Sequence, residues 1–164
     1  MIQTIESFTN YFESIRRRTL NYIHLIPPDR LEWSPKPGEF TCGDILRHLM
    51  ATENMFVRVA VEGYWKYEGH AAVEKSGLDE IIAMLETSHA QAMTRLKQLP
   101  DEILYESRPA LKGPPVKVWR WLMAMVEHEI HHRSQLAVYL SLMGIQPPQI
   151  YGLGVEDIVA LTTE

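Results

Sequence analysis

The segment from Val116 to Met143, with Glu127-His128-Glu129-Ile130-His131-His132-Arg133-Ser134-Gln135 at its centre, sets the architecture. Val118, Trp121, Met125, His128, His132, Gln135, Tyr139 and Leu142 follow one another in steps that alternate three and four residues. That is the stripe by which a helix packs into a bundle. Two histidines occupy positions where a core would carry leucine. At about 100° and ~1.5 Å per residue, a spacing of four leaves both imidazoles pointing the same way from successive turns. Buried imidazoles need partners. Either hydrogen bonds within a core supply them, or a divalent cation held by three side chains does, with a further position left open. The pairing of His128 with His132 inside an apolar seam favours the cation.

The same periodicity extends to the rest of the chain. Ile5, Phe8, Phe12, Ile15, Thr19, Tyr22 and Ile26 predict a first helix over about Ile2 to Leu25, stopped by Pro27-Pro28. A stiff connection with Trp33, Pro35, Pro37 and Gly38 follows, long enough to cross the molecule, and Trp33 is expected to cover one end of the core. Thr41 is placed to cap a second helix that runs to about Tyr64, with Asp44 facing the positive end of its dipole. Ile45, His48, Thr52, Met55 and Val59 put a third histidine, His48, on or beside the buried stripe.

Periodicity lapses between Trp65 and Gly77, where His70 reads as a surface residue. It resumes from Leu78 to Leu99, and there His89 lies on the seam as a rival third ligand. Spacing alone leaves His48 and His89 level. Pro109, Gly113, Pro114 and Pro115 mark a second long connection, with Pro115 placed to start the last helix, and no hairpin signal or repeat is evident. Beyond Gly144, a segment with Pro147, Pro148, Tyr151, Gly152 and Gly154 reads as a tail folded over one end. The expectation is one domain over residues 1–164, all-α, built as a four-helix bundle with a site between facing helices.

Composition narrows the function. The chain has 164 residues, 46% apolar and 23% charged, enough for a sizeable core. A net charge of −5 argues against a nucleic-acid partner, and the one dense basic run, Arg16-Arg17-Arg18, reads as a solvated helix face. No apolar run reaches the ~20 residues of a membrane span, and the N-terminal residues carry no export signal, so a cytoplasmic location is expected. Cys42 is the only cysteine, which excludes an intrachain disulfide, and it reads as a small buried residue.

Around such an ion, Gln135 and Thr52 are expected as second-layer or substrate contacts, and His131, rotated about 100° from His132, as a weaker ligand. Imidazole ligation suits zinc, nickel, copper and iron, with zinc the first expectation. His128-Glu129-Ile130-His131-His132 formally matches the zinc-protease pattern H-E-x-x-H, in which Glu129 would be the general base. Nothing downstream continues as H-x-x-G-x-x-H, and Glu156 is the only convenient further ligand, so that reading ranks last.

Four stretches together resemble the DinB/YfiT-like superfamily of bacterial helical metalloproteins. They are Trp33-Ser34-Pro35 through Pro37-Gly38-Glu39-Phe40-Thr41, the Asp44-Ile45-Leu46-Arg47-His48-Leu49 turn, His128-x-x-His131-His132-Arg133-x-Gln135-Leu136, and Gly144-Ile145-Gln146-Pro147-Pro148-Gln149-Ile150-Tyr151-Gly152. The resemblance implies a three-histidine site on His48, His128 and His132, an up-down-down-up helix order and frequent homodimers. It also implies thiol-dependent chemistry, since relatives with known activities transfer a low-molecular-weight thiol to an electrophile or use one as cofactor, whereas others are labelled hydrolases. Glu129 stands where relatives have a small residue, and it faces either the pocket or another helix. The expected function is a metal-dependent thiol S-transferase acting on a small molecule; the alternatives are a non-catalytic metal- or ligand-binding bundle and a metal-dependent hydrolase.

Overall fold

A computed structural model of the chain describes residues 3–70 and 76–163. Among the described residues the protein is mostly helical, with α1 (Ile5–Ile23), α2 (Cys42–Glu62), α3 (Leu78–Lys97), α4 (Val118–Leu142), a short α5 (Val155–Thr162) and a two-stranded ribbon of β1 (Ser107–Arg108) and β2 (Val116–Lys117). Ile2 and residues 71–75, which fall within two of the segments read above, lie outside the described residues.

Local chemistry fixes the helix ends. Thr4 caps α1 by accepting the Ser7 N–H, and Thr41 caps α2 by accepting the Asp44 N–H while the Asp44 carboxylate accepts from the Thr41 N–H. Helix α2 stops two residues earlier than periodicity suggested, because Gly63 takes a left-handed conformation, φ 79°, and its N–H returns to the Val59 carbonyl. Helix α1 likewise ends at Ile23, ahead of the prolines, with the His24 N–H bonded to the Leu20 carbonyl. Pro115 does not start α4. The antiparallel ribbon pairs Ser107 with Lys117 and Arg108 with Val116, and the Glu106 carbonyl accepts the first free N–H of α4, that of Val118. That ribbon is too short to show alternation, which is why no hairpin was expected. Nor is the C-terminal segment only a tail: Pro148 and Tyr151 lie against α1 through Tyr22 and Arg18, but α5 follows, with none of its residues buried.

The four long helices pack as α1 on α3 and α4, and α2 on α3 and α4. Two apolar clusters fill the interior. One joins Ile5, Phe8 and Phe12 of α1 to Phe56 and Ala60 of α2, Met93 and Leu96 of α3, and Val118 and Leu122 of α4. The other joins Tyr22 and Ile23 to Ile45 and Leu49, to Leu78 and Leu85, and to Leu136 and Leu140. Each fully buried Leu, Ile or Phe contributes about 1.5–3 kcal/mol. Between the clusters the interior turns polar, with Arg16, Glu53, His89, Glu129 and Arg133 all buried. Arg16 thus departs from the solvated face expected for the basic run; Arg17 is exposed and Arg18 half-buried. Trp33 meets Tyr139 edge-on at 5.6 Å, closing one end of the second cluster.

The α4 seam splits in two. Val118, Met125, His132 and Tyr139 are buried, while Trp121, His128 and Gln135 are half-buried and Leu142 is exposed. Members of each set are seven residues apart, so the second set forms one flank of the helix. Helix α2 repeats the pattern, with Ile45, Thr52 and Val59 buried and His48 and Met55 half-buried. The two flanks meet in the α2–α4 groove, and there the histidines lie.

Candidate metal centre

His48 of α2 and His128 and His132 of α4 come together, with one ring nitrogen from each lying within 4.8 Å of the others. The ring centroids are 4.8 Å apart for His48–His128, 4.8 Å for His48–His132 and 4.5 Å for His128–His132. His48 Nε2 is 3.0 Å from His128 Nε2. Two nitrogens bound to one tetrahedral zinc at ~2.0–2.1 Å lie about 3.3 Å apart, so the His48–His128 spacing is compatible with a shared ion and equally with an N–H···N hydrogen bond.

The outer contacts fix which nitrogen of two of these rings carries hydrogen. The Phe40 carbonyl, which can only accept, takes the Tyr139 hydroxyl at 2.9 Å, so the Tyr139 oxygen accepts from Gln135 Nε2 at 3.1 Å. Gln135 Oε1 then faces His132 Nδ1 at 2.9 Å, which must donate. Likewise the Thr52 hydroxyl donates to the His48 carbonyl at 2.7 Å and accepts from His128 Nδ1 at 3.3 Å. Both rings therefore direct an Nε2 lone pair inward, in the pattern of metal-bound histidines held by outer acceptors. His48 Nδ1 lies 2.7 Å from the Tyr67 hydroxyl, which is 2.5 Å from His70 Nδ1. With His48 donating to Tyr67 and Tyr67 to His70, the third Nε2 lone pair also turns inward and the three could hold a cation; in the other tautomer His48 Nε2 donates to His128 Nε2.

Electrostatics point the same way. Burial, reinforced by His132 and His70, lowers the His48 pKa from 6.5 to about 4. Burial, reinforced by His132, His48 and His131, lowers that of His128 from 6.5 to about 3. Burial also lowers His132, against the Gln135 hydrogen bond that raises it. At neutral pH all three rings are uncharged, the form in which imidazole binds metal.

Other sequence expectations fall elsewhere. His89, the rival to His48, bonds through Nδ1 to Glu53 at 2.6 Å in the polar layer. His131 is exposed beside His132, with ring centroids 4.9 Å apart, and is not one of the converging three. Glu129, considered both as a neighbour of the ion and as a general base, is instead 2% exposed and 3.1 Å from the Arg16 guanidinium. Glu156 is exposed on α5 and outside the histidine group. The Cys42 thiol is wholly buried, and burial raises its pKa from 9.0 to about 11.

His70 corrects the surface assignment. Its ring is 5.4 Å from that of His48 and 4.6 Å from that of Phe40, and Phe40 lies edge-on to His48 at 5.3 Å. Tyr67 and His70 escaped the sequence reading because they sit in an irregular connection where spacing carries no information. The one available signal was the density of rings from Tyr64 to His70 in a loop otherwise polar.

The model of the DinB family matches residues 1–161. The chain belongs to that family. A DinB relative, the Bacillus subtilis protein YjoA, is 26% identical over 137 residues, 82% of this chain and 88% of its own length. Among solved structures, a DinB-like protein from Bacillus cereus superposes with a TM-score of 0.77 at 20% identity, covering 91% of this chain and 99% of that one. The YjoA structure gives a TM-score of 0.72 at 23% identity, covering 87% and 96%. At these identities the structural matches establish a shared DinB-like fold.

Proposed function

We propose that this DinB-family protein is a metal-dependent enzyme that joins a low-molecular-weight thiol to a small electrophilic molecule. In this reading His48, His128 and His132 hold a divalent transition metal, zinc first, with nickel or iron compatible with the same ligands. The observation that carries it is the convergence of three uncharged imidazoles whose Nδ1 atoms are turned outward to Thr52, Gln135 and Tyr67. A bound divalent ion would supply Lewis acidity and a lowered pKa for a coordinated thiol or water. Thr52 and Gln135 hold the α4 rings in place, and Phe40 and Tyr67 shield the imidazoles from bulk water on the side of His48. Three neutral ligands leave the ion's charge uncompensated, which favours an anionic fourth partner such as a thiolate.

The reading has an architectural part. The two apolar clusters put the N-terminal half of α1 and α4 beside the C-terminal half of α2 and α3. This supports an up-down-down-up four-helix bundle with the site midway along the α2–α4 groove. A homodimer, a cytoplasmic setting and the absence of a nucleic-acid or membrane partner complete it. No helix among the described residues is long and apolar enough to cross a membrane. A second reading, a bundle that binds metal or a small ligand without turnover, draws on the cover that Tyr67 and Phe40 place over His48.

Elemental analysis of protein purified without a histidine tag, beside the His48→Ala variant, tests the site. About one divalent transition metal per chain is expected, falling at least tenfold in the variant; native protein that takes up none would sink the proposal. A panel of thiols and electrophiles then tests the transfer, and full metal loading without turnover on any pair would favour the second reading.

A further inference from the structure

The polar layer behind the histidines is built from all four long helices. Arg16 Nη2 of α1 lies 2.6 Å from Glu53 Oε2 of α2 and 3.1 Å from Glu129 Oε2 of α4. The three side chains are 3%, 1% and 2% exposed. Glu53 Oε1 accepts from His89 Nδ1 of α3 at 2.6 Å, and His89 Nε2 lies 3.4 Å from Glu13 Oε2 of α1. Arg16 Nε, Arg16 Nη1 and Glu129 Oε1 are buried without a hydrogen-bond partner.

Such a cluster is a poor way to stabilise a fold. Charged groups pay a large desolvation penalty, their unpartnered atoms add to it, and well-packed apolar replacements of buried ion pairs are often neutral or stabilising. Buried ionic contacts are best attested where they fix register. The register at stake here is visible in the sequence. Glu53 follows Thr52, which bonds to His128, and Glu129 follows His128 itself. His48 lies one turn before Thr52. Arg16 therefore ties α4, at the turn that carries His128 and His132, to α2 beside Thr52, over a turn beyond His48 and about 140° round the axis from it.

We propose that Arg16, Glu53 and Glu129 form an ionic clamp that positions the three histidines by fixing the rotation and axial register of α2 against α4. The three are positioning residues and touch neither the ion nor a substrate. The inference rests on the metal-site reading above and adds to it a requirement on residues outside the site.

The test compares native protein with the apolar triple variant R16M/E53M/E129L and the near-isosteric Glu129→Gln. For each, the zinc dissociation constant is measured by competition with a chromophoric chelator, the visible d–d absorption of the cobalt(II)-loaded form reports ligand geometry, and the melting temperature of the metal-free form reports stability. The clamp predicts zinc binding at least tenfold weaker in the triple variant, with an altered cobalt spectrum and a metal-free melting temperature equal to the native value or higher. Glu129→Gln, which keeps shape and loses charge, is expected to fall between the two. Native zinc affinity and an unchanged cobalt spectrum in either variant overturn the proposal. If the triple variant does not fold, Glu129→Gln decides alone by the same criteria. Native protein that binds neither metal defeats the site reading and the clamp together, whereas native binding with indifferent variants defeats the clamp only.

Discussion

Among single residues the histidines carry the sharpest consequence. A ring whose pKa is depressed on folding disfavours the protonated form, so the unfolded chain takes up more protons and stability rises with pH. For His48 and His128 the contribution is complete above the ordinary value of 6.5 and is lost as pH falls towards about 4 and about 3. The melting temperature of metal-free protein is therefore expected to drop between pH 6.5 and 4, and His128→Gln to flatten that drop. A pH-independent melting temperature over this range would contradict the burial of neutral rings. His128 and His132 were legible in the sequence because helical spacing alone aims them together. His48 against His89 was not, since both lie on apolar seams, and only the packing of α2 and α3 around α4 separates them. Arg16 was misread for a related reason: a charged residue inside a basic run looks solvated until its two carboxylate partners arrive from other helices.

At the level of elements, helix α2 ends where a single backbone conformation allows. A Cβ at Gly63 would meet only the Arg108 side chain, Cδ at 3.6 Å and Nε at 3.8 Å, ordinary contacts, so space does not forbid a side chain. The positive φ of 79° does. Gly63→Ala should cost about 1 kcal/mol through left-handed strain, read as a lower denaturation midpoint in urea with an unchanged slope. A midpoint equal to the native one would mean that the turn relaxes. Helix existence and spacing were readable from the three-and-four steps, and the α2 start from Thr41 and Asp44. The ribbon Ser107–Arg108 with Val116–Lys117 was not readable, because two residues per strand show no alternation. Helix α5 was hidden by its prolines and glycines upstream, which marked the whole segment as irregular.

For the whole molecule, α5 is a helix with none of its residues buried. An eight-residue helix is marginal in water by itself, and here it exposes Val155, Ile158, Val159 and Leu161 at 72%, 49%, 55% and 73%. A second copy of the chain covering that face would remove it from water. Sedimentation velocity at micromolar concentration is expected to show a dimer for the native protein and a monomer for Leu161→Asp. A native monomer, or a dimer indifferent to the substitution, would place the partner elsewhere. Overall helical class follows from pattern alone, whereas assembly depends on surfaces whose partners the sequence does not name.

One buried atom limits where the sulfur of any transfer can originate. The Cys42 Sγ is sealed in the interior at the start of α2, with its proton held far above neutral pH. The chain thus owns no nucleophilic sulfur that could compete for an electrophile or be alkylated in its place. In the proposed transfer the thiol would therefore have to be borrowed from solution, and reagents that titrate free thiols would count that co-substrate without counting the protein.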